Sequence, residues 1–543
     1  MDTFDYVIVG AGTAGCVVAS RLSEDPKVSV LVLEAGGSDR TLWIQLPIGY
    51  GRTFFDRRIN WMYDTAPVPA LAGRTSYWPR GKVVGGSGSI NAMVHVRGQP
   101  GDFDDWAAMG NPGWSYGDVL PYFRRSEDID SGDSHHRGRG GPMHVTDIRR
   151  QAHPLCQIFV ETAQALGFSA TEDFNSPPGE GVGVYQINTD KGRRASSANA
   201  FLRPALRRPN LELRVRAHVT RILFDGVRVV GVEYRRGGAI QRVMARGEVI
   251  LCGGSVNSPQ LLQLSGVGEA QHLRALGIAP LVDAPAVGQH LQDHLAVSYF
   301  YSANRPTLND ELGPLSGKLK AGLRYLWDRG GPLSMSVNQG GGFVRSDPAQ
   351  ARPNLQLYFS PVSYTKTPLA ERRLTNPDPF SAFLLSFNAC RPTSRGSLSI
   401  CSPDPFAHPK IEPNYLATDK DVAEALAGVR LLRRLAATAP LCGIITGELL
   451  PGEHARSDED LLQDFRARAD TVYHPVGTCR MGADPAGAVV DARLRVHGLQ
   501  GLRVIDASIF PTITSGNTNA PTVMVAEKGA AMVLEDAGAR ALG

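Results

Sequence analysis

The chain has 543 residues, 42% of them apolar and 20% charged, which is ordinary for a globular protein and too long for one compact core. Two intimately packed domains are expected, and 59 glycines with 37 prolines imply the many turns of a large α/β enzyme. A net charge of +4 is mild, and the pairs Arg124-Arg125, Arg193-Arg194 and Arg207-Arg208 are scattered, so nucleic-acid binding is not expected.

Seven cysteines without CxxC spacing argue against a disulfide scaffold and for a reducing, cytoplasmic setting. The opening "MDTFDYVIVGAG" lacks a basic n-region and an h-region, so no signal peptide is expected. No apolar run reaches 18 residues, which predicts no spanning helix; membrane contact, as at an inner membrane, would be peripheral at most.

Phe4 to Val9 reads as a strand, followed by Gly10-x-Gly12-x-x-Gly15, a helical run, and a second strand from Val28 to Leu33 that ends in Glu34. Gly10 permits the tight turn, Gly12 lets backbone approach a pyrophosphate, and Gly15 lets the helix pack on the strand. The helix N-terminus then offers N–H groups to phosphate. Glu34 lies about twenty residues on, where an acid holds a ribose hydroxyl pair, and favours FAD or NAD over NADP. A β–α–β dinucleotide site is predicted.

The loop Gly85-Gly86-Ser87-Gly88-Ser89 suits backbone lying against a flat ligand. Towards the C-terminus, Val504-Ile505-Asp506 reads as a strand ending in an acid. Pro521 then opens a helical run whose N-terminus could stabilise negative charge on a ligand, though its direction is not legible.

Four stretches carry a resemblance. "RGKVVGGSGSINAMVHVRGQPGDFDDW" (80–106), "GGSVNSPQLLQLSGVG" (253–268), "YHPVGTCRMG" (473–482) and "GLRVIDASIFPTITSGNTNAPTVMVAEKGA" (501–530) resemble, in order, the signatures and C-terminal block of the glucose–methanol–choline oxidoreductases. The resemblance implies FAD-dependent alcohol oxidation by a bacterial dehydrogenase-like branch. It implies an α/β fold, with a Rossmann-like FAD domain and a substrate domain whose antiparallel sheet is flanked by helices.

It places Asn91 and Ala92 beside the flavin ring, and Val219 of "HVTRILFD" (218–225) at the adenine. It also assigns Thr13, Ala14, Ala35, Val83 and Gly86 to the cofactor, with Asp506, Ala507 and Thr518 from the C-terminal block. The FAD domain is expected over 1–155, 200–300 and 470–543, and the substrate domain over 156–199 and 301–469. Strand-like "NLQLYFSPV" and "GSLSIC" are expected in the substrate-domain sheet.

His474 and Cys479 raise three readings. A zinc site needs further ligands at recognisable spacing, and none lies within ten residues; no metal is expected. Nothing else supports a Cys/His nucleophile. Alcohol oxidation needs a base near neutrality and a donor to the developing alkoxide, which histidine's intrinsic pKa suits. In the family, the histidine of this block serves as base and a His or Asn about forty residues later partners it. His474 and Asn517 match those positions, and Cys479 is expected to pack.

His290 and His294 fall at i and i+4 on a predicted helix, read as a structural polar cluster, and His135-His136 as exposed loop. Ile90 stands where some members attach FAD through histidine, so noncovalent FAD is expected. Choline-oxidising members carry a glutamate where this chain has Gln339, so Gln339 is assigned to the substrate site and a neutral primary alcohol is expected. Electrons would pass to a quinone or other carrier. The alternatives are an oxidase releasing H2O2 from O2, or a non-redox lyase on the same fold.

Overall fold

The structure, a computed structural model, describes residues 2–365 and 376–541. The chain opens with β1 (Asp2–Val9), α1 (Thr13–Leu22) and β2 (Val30–Glu34). Every residue of β2 is buried, the pattern of a parallel strand covered on both faces. Next come α2 (Leu155–Ala165) and β3 (Gly181–Val184), then β4 (Leu211–Val215), β5 (His218–Asp225), β6 (Arg228–Arg236), β7 (Ala239–Leu251) and α3 (Gly254–Leu264).

The middle of the chain supplies β8 (Leu295–Ala303), α4 (Leu308–Leu312), α5 (Leu315–Asp328), β9 (Gly340–Val344), β10 (Leu355–Ser360) and β11 (Ala382–Ala389). The last part adds α6 (Asp419–Ala437), β12 (Ile445–Leu450), α7 (Asp458–Arg468) and β13 (Asp470–Thr471). It ends with β14 (Leu502–Val504) and α8 (Asn519–Ala541).

Two seven-stranded sheets result. The first runs β4-β2-β1-β7-β6-β5, with β14 beside β7. Its β4, β2, β1, β7 and β14 are parallel, while β5 and β6 return antiparallel. The second runs β12-β8-β11-β10-β9-β3, with β13 beside β8, and is antiparallel throughout.

Strand alternation gives the second sheet two functions. Val297, Tyr299, Leu357, Phe359, Phe383 and Leu385 enter a core shared with α2, α6 and α7. The intervening Ala296, Ser298, Tyr358, Ser360, Leu384 and Ser386 line the molecule's main cavity.

"NLQLYFSPV" supplies β10, but "GSLSIC" does not join this sheet. Ser397–Ser399 pairs with Lys410–Glu412 in a separate two-stranded sheet, and the adjoining Gly396 bridges Leu291. Among the described residues no helix is long and apolar enough to cross a membrane.

Candidate active site

Two segments distant in sequence are hydrogen-bonded edge to edge. Gln292 and Val476 exchange backbone hydrogen bonds at 3.0 and 2.9 Å, and the Val472 N–H donates to the His294 carbonyl at 2.9 Å. Between these contacts Tyr473 adopts a φ of 68°, uncommon for a residue with a side chain. Asp293 Oδ1 accepts the His474 N–H at 2.7 Å, so the imidazole is held by its own backbone and lines the cavity.

The helix expected over His290 and His294 does not form. The segment is spent on extended pairing with residues 396 and 476, and His290 sits at φ 61°. His294 consequently stands directly behind His474, its Nδ1 3.0 Å from the His474 Nδ1.

The hydrogen bonds determine the protonation pattern. His294 Nε2 lies 3.0 Å from the Cys390 carbonyl, which can only accept, so Nε2 carries the proton and Nδ1 is an acceptor. His474 Nδ1, 3.0 Å from that Nδ1, must then donate. The His474 Nε2 lone pair is left facing Asn517 Nδ2 at 3.1 Å. Asn517 is oriented in turn by Gln356 Nε2, which donates to its Oδ1 at 3.3 Å.

Charge agrees with this assignment. Burial, then the neighbouring His294 ring and the Arg80 guanidinium, hold His474 well below the usual 6.5. Burial pushes His294 down to about 4. Both rings are neutral near pH 7. Arg80, tied to the Tyr473 carbonyl at 2.7 Å, is a cation beside His474 that no sequence pattern placed.

The cavity continues from His474 to the first sheet. Gly10, Gly12, Thr13, Ala14, Glu34 and Ala35 line it from the β1–α1–β2 unit, and Val219 from β5. Gly86, Asn91 and Ala92 line it from the glycine loop, and Asp506, Ala507 and Thr518 from the C-terminal block. Gly10 has a φ of 100°, and a Cβ on Gly86 would stand 2.8 Å from the Gly12 Cα, so the two glycine loops pack backbone to backbone.

Asn519, the first residue of α8, accepts from Thr13 Oγ1 at 3.0 Å, so two helix N-termini converge on the cavity. This settles the direction of the last helix. Buried Asp506 is bound to the start of α3, accepting from Gly254 N–H at 2.8 Å and Ser258 Oγ at 2.6 Å.

Three assigned residues stand elsewhere. Gly15 packs beneath the turn, where a methyl would overlap the Gly10 carbonyl. Val83 turns its side chain into an apolar cluster with Ile44, Ile59 and Ile90. Gln339 faces away from the cavity: its Oε1 accepts the His153 N–H at 2.7 Å, while the preceding Val337 and Asn338 line the cavity wall.

Residues that the sequence reading missed are His294, Arg80, Gln356 and Arg194. Buried Arg194 reaches Asn91 Oδ1 at 2.7 Å and the Gly88 carbonyl at 3.3 Å, holding the glycine loop in place. The pairing "RR" at 193–194 carried no sign of this. All seven cysteines are free, and Cys479 is buried. Among the described residues no cluster of three or more His, Cys, Asp or Glu could hold a metal.

Family models for the GMC oxidoreductases match residues 4–296 (the N-terminal model) and 392–526 (the C-terminal model). The chain belongs to the GMC oxidoreductase family. Mitochondrial choline dehydrogenase of Mus musculus is 43% identical, over 98% of this chain and 89% of its own length. Alcohol dehydrogenase [acceptor] of Pseudomonas putida is 41% identical, over 98% and 96%. The crystal structure of pyridoxine 4-oxidase from Mesorbium loti superposes with a TM-score of 0.88 at 33% identity, covering 97% of this chain and 98% of that one.

FAD is the cofactor of GMC oxidoreductases, and the cavity fits it. Among the described residues Glu34 accepts from the Ala11 and Gly36 N–H groups, at 2.9 and 2.7 Å, leaving carboxylate lone pairs for a ribose. The helix N-termini and glycine loops suit a pyrophosphate and a flat ring.

Proposed function

We propose that this oxidoreductase oxidises a neutral primary alcohol to the aldehyde with His474 as base. The observation that carries this is the pair of nitrogens 3.1 Å apart, one a lone pair on His474 Nε2 and the other an N–H donor on Asn517. An alcohol oxygen at that point gives its proton to Nε2 and accepts a hydrogen bond from Nδ2, so negative charge on oxygen is met as it develops. Bound FAD supplies the acceptor for the hydride that leaves the carbinol carbon. The chain's own contribution is to keep His474 neutral, aim its lone pair and hold the oxygen.

In this reading FAD is held noncovalently, since Ile90 offers no nucleophile to it. The flavin-binding pieces are 1–155, 200–300 and 470–543, and 156–199 with 301–469 form the substrate side. Electrons pass to a quinone or other carrier, a choice supported by the P. putida relative's name.

A second reading, a trimethylammonium alcohol such as choline, draws on the aromatic rings Tyr50, Phe54, Phe55 and Tyr364 and on Asp470, which line the same cavity. Anaerobic titration of the yellow protein separates these readings. Bleaching by neutral primary alcohols supports the proposal, and bleaching by choline alone moves the assignment to the second reading. No bleaching by either points to a lyase, and fast recovery in air to an oxidase. His474→Ala should keep its flavin and lose reduction by about 10²–10⁴-fold; an unchanged rate removes His474 as base.

A further inference from the structure

Helix α5 has its polarity reversed at the surface. Leu315, Leu319, Leu323 and Leu326 recur at i, i+4, i+8 and i+11, and they are 83%, 64%, 61% and 73% exposed. Trp327 beside them is 92% exposed. Single exposed leucines are ordinary, but five large apolar side chains on one helix face are not. The opposite face is buried through Tyr325, whose hydroxyl donates to the Gly192 carbonyl at 2.9 Å, and through Ala321, in an apolar cluster with Leu308, Leu312, Met335 and Val337. The leucines are therefore surplus to the fold.

At about 100° per residue, Lys320 and Arg324 fall to one side of the leucine stripe, and Lys318 to the other. Lys318, Lys320 and Arg324 are exposed, and within α5 only Asp328 opposes them. Leucines bordered by cations, with a tryptophan at the end, match a helix lying in the plane of a membrane interface. There apolar side chains enter the acyl boundary, indole sits among headgroups, and Lys and Arg meet lipid phosphate.

We propose that α5 docks this protein on a bilayer carrying anionic lipid. Charge decides the occupant: a second copy presenting the same face would set these cations against themselves, whereas an anionic bilayer neutralises them. The docked face lies directly above the cavity, because Tyr50, Met93, Val337, Val362 and Tyr364 of the supporting cluster also line it. The inference does not depend on which alcohol is oxidised.

The test is flotation of the flavin-loaded protein with vesicles of phosphatidylcholine alone and with an equal part of phosphatidylglycerol. Binding to the anionic vesicles that weakens with added salt is expected. The variant Leu319→Gln/Leu323→Gln/Trp327→Gln should lose at least about tenfold in partitioning, and Lys318→Glu/Lys320→Glu should lose selectivity for anionic lipid. Both variants replace exposed groups with helix formers, so flavin content and alcohol turnover with a soluble dye should match the parent and report that the fold is intact. Absence of flotation, or equal partitioning of the leucine variant, overturns the proposal. A parent dimer that the leucine variant converts to monomer, without lipid binding, makes a second copy the occupant and overturns it equally.

Discussion

His474 works as a base only in one tautomer, and that tautomer is set by a residue that never meets the cavity's centre. The Cys390 carbonyl fixes His294, and His294 Nδ1 takes the proton-bearing Nδ1 of His474. His294→Ala removes that acceptor, and kcat should fall about 10²-fold with little change in KM. His294→Gln, whose amide oxygen can accept the same hydrogen bond, should recover part of the loss. A purely structural role would show no such recovery.

The pH profile follows from the same contacts. A buried base whose folded pKa lies below 6.5 is neutral at 6.5 and is lost only as pH falls further. The acid limb of kcat/KM for flavin reduction should therefore lie below 6.5. A limb at or above 6.5 in the parent would contradict the stated environment.

At the scale of elements, the β1–α1 turn is constrained by contact and not by propensity alone. Gly15 has no room for a methyl beside the Gly10 carbonyl, and Gly10 combines a φ of 100° with a Cβ position 2.6 Å from the Cys252 carbonyl. Gly15→Ala should cost about 1–3 kcal/mol by overpacking and release flavin, since the helix N-terminus is pushed off its place. Flavin stoichiometry and the thermal midpoint of the purified variant check this. The β1–α1–β2 unit was legible because its glycines and strand runs act locally. The helix expected at His290 and His294 failed because an i, i+4 pattern says nothing about whether a segment finds a partner strand, and this one pairs with Val476.

Across the whole molecule, the two ends of the chain share one site. Helix α8 packs on α1, and Glu527, wholly buried, accepts from Arg21 Nε at 2.8 Å and Nη2 at 2.7 Å. Glu527→Ala removes the buried partner of Arg21 and leaves that guanidinium its Glu24 contact at 2.8 Å, so it should destabilise the protein by about 1–3 kcal/mol. A chemical-denaturation midpoint indistinguishable from the parent's would show that the pair carries no such weight.

What the sequence by itself determined was chemistry with a local signature. The glycine spacing, Glu34, the "YHPVGT" block and Asn517 are written in short stretches, and the cavity gathers nearly all of them. Only the tertiary structure decided which residues of the stretch before β9 face the site, and so exchanged Gln339 for Asn338. It alone brought His294, Arg80 and Gln356 to the base, and left the leucines of α5 facing outward. The physical reason is common to these cases: burial, tautomer and sidedness depend on partners hundreds of residues away, and no local pattern encodes the partner.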